Sequence, residues 1–124
     1  MQSDIEIYLL SCPQERILDW LQQTFTHLET PRTHNAQTLL VVQHQQQPIN
    51  VTITEQAAGK KFTSVWFDSP STPWANDIDC ARQAYSALAC EVRCINSGWQ
   101  EDESTDPDQW WKINQYEEGP FIWR

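Results

Sequence analysis

Residues 38–68 read TLLVVQHQQQPINVTITEQAAGKKFTSVWFD, and three β-strands can be recognised in this stretch. It contains a compact apolar run at 38–43, an alternating run at 49–54 and an aromatic run at 62–68, separated by short polar segments. Alternation of apolar and polar residues is typical of a strand with one face in the core and the other in water. We therefore predict an antiparallel meander of three consecutive strands.

The segment before this meander predicts a strand followed by a helix. Residues 4–10 alternate at first and then become continuously apolar, a pattern that indicates a strand entering a sheet. Ser11 and Gln14 have the spacing of a capping box, and apolar residues then recur at helical spacing up to Leu28. Residues 29–37 have no apolar period and predict a loop.

The segment after the meander predicts a second helix and three further strands. The dipeptide Thr72-Pro73 is a favourable helix start, and helical spacing continues to about Ala89. A strand at 91–95 follows, and the chain ends in a predicted hairpin of residues 110–116 and 121–123.

This order of elements predicts one α+β domain over residues 1–124. The order is β-α-β-β-β-α-β-β-β, in which short connections favour antiparallel pairing. We expect a two-layer sandwich with both helices on one face of a mostly antiparallel sheet. A ferredoxin-like arrangement with extra strands is the topology that we expect, because each helix joins two strands that can lie parallel through a right-handed crossover.

The chain is strongly acidic, with eight Lys and Arg against seventeen Asp and Glu and a formal net charge of −9. Such a charge opposes direct binding to nucleic acid or to anionic lipid. It favours a basic protein or a cationic ligand as partner. Acidity also keeps proteins soluble, so the charge by itself does not identify a binding function.

Several features predict a cytoplasmic protein without a membrane segment, and we assume a monomer. No apolar run reaches the roughly 20 residues that cross a bilayer. The first residues, MQSDIE, are acidic where a signal peptide would be basic. We expect the four cysteines to be reduced and mostly buried, namely Cys12, Cys80, Cys90 and Cys94.

The sequence contains none of the motifs that carry common enzyme chemistry. The three glycines are far apart, which excludes a glycine-rich phosphate loop. The three histidines lack the spacing of a zinc site, and no serine lies in a nucleophile elbow. We therefore expect no metal, no cofactor and no catalytic residue.

Cys12 is the only candidate for a reactive thiol, because it lies between a predicted strand and a predicted helix. Backbone N–H groups at a helix start can stabilise a thiolate. The position is similar to that of the reactive cysteine in thioredoxin-like proteins, but Glu15 stands where their second cysteine would be. A structural cysteine is the alternative interpretation.

The unusual feature of the chain is its seven tryptophans, four of which lie near the carboxyl end together with many acids. Trp110 and Trp111 are neighbours in a predicted strand, so their side chains point to opposite faces. Trp111 shares its face with Ile113 and is assigned to the core, whereas Trp110 lies on the side of Lys112. We expect the candidate binding site to comprise Trp99, Trp110, Glu101, Asp102, Asp106 and Asp108.

Two classes of function follow as hypotheses. The first is a non-catalytic protein-interaction module, similar in character to inhibitor or immunity proteins, that presents acids and aromatic rings to a basic partner. The alternative is a small-ligand-binding protein or small enzyme with its site between the acidic loop 99–109 and the terminal hairpin. In both hypotheses the indole rings meet water beside carboxylates.

Overall fold

The computed structural model describes residues 4–96 and 109–123, except for the side chain of His27. The two helices in this part of the chain are α1 (Gln14–Thr24) and α2 (Asp77–Leu88), and neither is long and apolar enough to cross a bilayer. The strands, in chain order, are β1 (Ile5–Leu10), β2 (His27–Leu28), β3 (Arg32–His34), β4 (Gln37–His44), β5 (Gln47–Thr54), β6 (Phe62–Asp68), β7 (Val92–Ile95), β8 (Gln109–Ile113) and β9 (Glu118–Ile122).

The described strands form a single sheet in which the paired strands are antiparallel. Their order is β2-β4-β5-β6-β1-β7-β8-β9, and β3 also pairs with β4. β1 therefore lies in the middle of the sheet, between β6 and β7. The predicted mixture of helices with a mostly antiparallel sheet is confirmed.

The region between α1 and β4 differs from the prediction. α1 ends at Thr24 and does not continue to Leu28. The reason is sheet pairing: the N–H of Thr26 donates to the carbonyl of Gln43 at 3.2 Å, and Leu28 pairs with β4 as part of β2. The predicted loop 29–37 contains β3, whose three residues are all exposed, so the strand has no apolar alternation to detect.

Both helices also begin differently from the prediction. Ser11 has a left-handed backbone conformation with φ 51°, and α1 has no side-chain cap, so the predicted capping box with Gln14 is wrong. The predicted start of α2 at Thr72 is wrong as well. The side chain of Asn76 caps α2 by accepting the N–H of Asp79 at 2.9 Å, which is the ordinary role of asparagine at a helix start.

Alternate residues of the central strands are buried in one core with the apolar sides of both helices. In β1, Ile5, Ile7 and Leu9 are fully buried and the residues between them are partly exposed. We call the buried side of the sheet the core face and the other side the open face. The aromatic members of the core are Trp20, Phe25, Phe67 and Trp74.

Candidate functional site

Five aromatic side chains meet on the open face of the sheet, and we call this group the aromatic face: Tyr8, Phe62, Trp110, Phe121 and Trp123. They come from distant parts of the sequence and are brought together by strand register. Trp110 lies opposite Phe121 in the β8–β9 pair, and Phe62 lies opposite Leu10 in the β6–β1 pair. Because side chains alternate along a strand, these residues point away from the core.

Trp123, which follows β9, contacts the four other rings of the aromatic face. Its ring centroid lies 5.0 Å from Phe62, 5.1 Å from Trp110, 5.6 Å from Tyr8 and 6.1 Å from Phe121. These separations are in the range of favourable aromatic pairs, about 4.5–7 Å. Trp123 therefore packs the segment that follows β9 against the middle of the sheet.

A cavity of about 380 Å³ opens on the aromatic face and is lined by Tyr8, Ala58, Trp110 and Trp123. Ala58 belongs to the connection between β5 and β6 and closes one side of it. Three of the four lining residues are aromatic, and the phenol of Tyr8 and the indole N–H groups supply the side-chain polar groups. The cavity suits a group that has apolar parts and can also contact ring faces.

Two cations of the chain already occupy part of the aromatic face. The guanidinium carbon of Arg93 lies 4.5 Å from the ring centroid of Trp123, 4.7 Å from Phe62 and 4.9 Å from Phe121. The ammonium nitrogen of Lys112 lies 4.9 Å from the ring centroid of Phe121. The ring faces that point toward Arg93 are already occupied by its guanidinium. An incoming cation would therefore contact the rings that line the cavity.

Each of these two cations has a carboxylate partner. Nε of Arg93 lies 2.7 Å from Oε2 of Glu91, and the side chains of both residues are largely buried. Nζ of Lys112 lies 3.1 Å from Oε1 of Glu117. The amide of Asn114 donates a second hydrogen bond to Glu91 at 2.9 Å. This part of the open face is consequently close to neutral.

The carboxylate of Glu6 accepts a hydrogen bond from Tyr8, one of the residues that line the cavity. Burial raises the pKa of Glu6, and the negative charges of Asp4 and Asp77 act in the same direction, against hydrogen bonds from Ser64 and Tyr8. Burial and the neighbouring Glu6 also raise the pKa of Tyr8. A carboxylate in this surrounding is destabilised by burial and, to a smaller extent, by its acidic neighbours, and would be stabilised by an added cation.

The raised pKa of Glu6 predicts a specific pH dependence of stability. Between the ordinary value of 4.5 and the raised pKa, the folded protein binds more protons than the unfolded chain. The contribution of Glu6 to the free energy of unfolding therefore decreases as the pH rises through this window. We expect Glu6→Gln to remove this decrease in urea denaturation measured at a series of pH values.

The matched control for this measurement is Glu29→Gln, which neutralises an exposed acid next to the edge strand β2. It should keep the pH dependence of the wild-type protein. Equal slopes of stability against pH for wild type and Glu6→Gln would contradict the assignment.

Only one of the binding residues predicted from the sequence lies in the described part of the chain. Trp110 is partly buried and forms a wall of the cavity. The other predicted members lie in the segment 97–108, outside the described residues: Trp99, Glu101, Asp102, Asp106 and Asp108. The prediction that these residues join Trp110 in one site stays a prediction.

The alternation predicted for the terminal hairpin is confirmed. Trp111 packs against the core, and Trp110 lies on the face of Lys112. Phe121 and Trp123 share the open face, with their rings stacked at an interplanar angle of 29°. The sequence interpretation did not include Tyr8, Phe62 or Arg93 in the site.

Cys12 is 7% exposed and is not among the residues that line the cavity on the aromatic face. The described residues contain no cluster of three or more His, Cys, Asp and Glu side chains that could hold a metal ion. All four cysteines are free, and three of them are buried as expected, the exception being the partly buried Cys90.

The geometry of the aromatic face supports binding more directly than catalysis. The lining of the cavity offers ring faces and one phenol whose pKa is raised, so this phenol is neutral near pH 7. A neutral phenol can donate a hydrogen bond but is a weak general base.

No family model matches the chain, and no curated protein or solved structure shows a significant similarity to it.

Proposed function

We propose that the chain is a non-catalytic protein-interaction module that binds a basic segment of a partner protein. The observation that carries this proposal is the cavity lined by Tyr8, Trp110 and Trp123, in which Tyr8 is hydrogen-bonded to the Glu6 carboxylate. Aromatic walls and a nearby carboxylate are what a lysine or arginine side chain needs from its binding site.

The energetic basis of this binding is the unfavourable position of Glu6. Its charge is partly removed from water and also lies close to the charges of Asp4 and Asp77. A cation placed in the cavity would offset this repulsion and would also contact the faces of the aromatic rings. The net charge of −9 adds long-range attraction for a basic partner and increases the association rate at low salt.

The test is a titration of the full chain with a lysine-rich peptide, measured by calorimetry and by the NMR signals of the indole N–H groups. We expect the signals of Trp110 and Trp123 to shift, whereas those of the core residues Trp20 and Trp74 should not. Affinity should fall as salt is added. A glutamate-rich peptide of the same length should not bind.

Two substitutions test which groups form the site. Trp110→Leu keeps an apolar side chain but removes the ring, and should weaken binding about two- to thirtyfold, corresponding to about 0.5–2 kcal/mol. The matched control is Tyr116→Leu, which removes an aromatic ring that is 85% exposed and lies outside the aromatic face. Glu6→Gln should also weaken binding, whereas Glu29→Gln should not.

The proposal would be wrong if Trp110→Leu and Tyr116→Leu had the same effect, or if the glutamate-rich peptide bound as well as the lysine-rich one. Absence of binding by lysine-rich and arginine-rich peptides at low salt would also contradict it. These measurements need no knowledge of the natural partner.

The volume of the cavity also favours a second candidate, a small-ligand-binding protein. About 380 Å³ lies within the common range for small-molecule sites, about 300–1,000 Å³. Tetramethylammonium distinguishes the two candidates. Binding of this ion as tight as that of the lysine-rich peptide supports a small cationic ligand, and much tighter peptide binding supports a protein partner.

The proposed topology is a ferredoxin-like core with extra strands, and the proposed location is the cytoplasm. The topology is supported by the central strand order β5-β6-β1-β7, in which α2 joins β6 to β7 and α1 follows β1. The location is supported by the four free cysteines.

A further inference from the structure

Two of the four cysteines lie together at one end of the sheet. β1 and β7 are antiparallel neighbours, and the N–H of Leu10 donates to the carbonyl of Glu91 at 3.0 Å. Cys12 follows β1 by two residues and Cys90 precedes β7 by two residues, so both lie just beyond this hydrogen bond. Their thiols are close enough to form a hydrogen bond with each other.

One thiol of this pair faces a cleft of about 390 Å³ that shares no lining residue with the cavity on the aromatic face. Cys12 lines the cleft, although only 7% of the residue is exposed. Lys60 and Lys61 also line it, with Glu55 as the one acid among its lining residues. The cleft is therefore positively charged on a protein whose net charge is negative.

The two thiols have different acidities. A hydrogen bond from Cys90 lowers the pKa of Cys12 against the opposite effect of burial, and the positive charge of Arg16 lowers it further. The same hydrogen bond and burial place the pKa of Cys90 well above its usual value. Of the two thiols, Cys12 therefore loses its proton more readily, and a thiolate is the nucleophile in disulfide exchange.

We propose that Cys12 and Cys90 form a redox-active dithiol that reacts with an anionic low-molecular-weight disulfide, such as glutathione disulfide, and closes into an intramolecular disulfide. Cys12 is the attacking thiol and Cys90 is the resolving thiol. Lys60 and Lys61 attract the carboxylates of the reagent into the cleft.

The reaction proceeds in two exchanges. The Cys12 thiolate attacks one sulfur of the reagent, the reagent's S–S bond breaks, a mixed disulfide forms, and one glutathione thiolate leaves. Cys90 then loses its proton and attacks Sγ of Cys12, which breaks the mixed disulfide and releases the second glutathione thiolate. The two cysteines are oxidised, the reagent is reduced to two thiols, and the two protons pass to the leaving thiolates.

The other two cysteines are a control within the same chain. Cys80 and Cys94 are also close to each other, but both are 0% exposed. Burial raises the pKa of each of them, which makes both poor nucleophiles. Among the described residues, neither of them lines the cleft.

The test uses the full reduced chain, incubated with glutathione disulfide and then blocked with N-ethylmaleimide. Trypsin places each cysteine in a different peptide, because Arg16, Lys61, Arg82, Arg93 and Lys112 separate all four. We expect a disulfide-linked pair of the peptides that contain Cys12 and Cys90. Without oxidant, Cys12 should react with iodoacetamide at least about tenfold faster than Cys80 or Cys94.

Variants separate the two roles. Cys90→Ser should accumulate a glutathione adduct on Cys12, whereas Cys12→Ser should leave Cys90 largely unmodified. Cys80→Ala should still form the disulfide.

The proposal is overturned if the wild-type peptide map contains no Cys12–Cys90 link, or if Cys80 and Cys94 react as fast as Cys12. Because the wild-type map needs no variant, a folding defect in one variant does not affect this result. Peptide binding to the aromatic face is measured separately, so either proposal can fail alone.

Discussion

Phe67→Ala is expected to lower the free energy of unfolding by about 3–5 kcal/mol, the usual cost of removing a fully buried aromatic ring. Phe67 is 0% exposed and lies on the core face of β6, between β5 and β1. Its ring centroid is 5.0 Å from that of Trp74, 6.0 Å from Phe25 and 6.2 Å from Trp20. Alanine would leave a cavity in the middle of this aromatic core.

Urea denaturation of wild type and variant measures this effect. A loss of this size is a large part of the stability of a typical domain, about 5–15 kcal/mol. Phe67→Leu retains part of the buried volume and should cost less than alanine. Tyr116→Ala, which truncates an exposed ring, should change stability by less than about 0.5 kcal/mol. Similar losses for Phe67→Ala and Tyr116→Ala would place Phe67 outside the core.

The central strands were predictable because one of their faces is buried. β5 and β6 alternate between core and open face, and the predicted aromatic run at 62–68 coincides with β6. β3 was not predictable, since its residues are exposed on both faces and it is held by backbone pairing with β4. The end of α1 was misjudged for a related reason, because Leu28 fits the helical period but pairs with β4.

The candidate site was only partly predictable, because it depends on which strands are neighbours. Alternation alone placed Trp110 on the face opposite Trp111, and the structure agrees. Tyr8 can contact Trp110 and Trp123 only if β1 lies next to β7 and β7 lies next to β8. This strand order was not known from the sequence. β1 did contain a usable signal. Tyr8 lies between Ile7 and Leu9, which point into the core, so alternation places the Tyr8 side chain on the open face.

Arg93→Ala is expected to lower the free energy of unfolding by about 2–4 kcal/mol, because this substitution removes several contacts at once. Its guanidinium lies against three rings of the aromatic face and pairs with Glu91. The side chains of Arg93 and Glu91 are only 19% and 15% exposed, so the pair is screened less than a surface ion pair. Alanine would leave the Glu91 carboxylate partly buried without this partner.

The pH dependence separates the ion pair from the ring contacts. Burial would raise the pKa of Glu91, but hydrogen bonds from Asn114 and Arg93 and the charges of Arg93 and Lys112 hold it below its ordinary value. Glu91 therefore contributes stability above pH 4.5 that is lost as the pH falls through its lowered pKa. In Arg93→Ala this loss in acid should largely disappear, because the carboxylate is no longer stabilised by the guanidinium.

Two further variants show how the effect is divided. Arg93→Lys keeps a positive charge but not the planar group, so its stability should lie between those of wild type and Arg93→Ala. Glu91→Gln removes the ion pair but leaves Arg93 against the rings, and should cost less than Arg93→Ala. If Arg93→Lys were as stable as wild type, the planar shape of the guanidinium would contribute nothing measurable to stability, and a positive charge at this position would be sufficient.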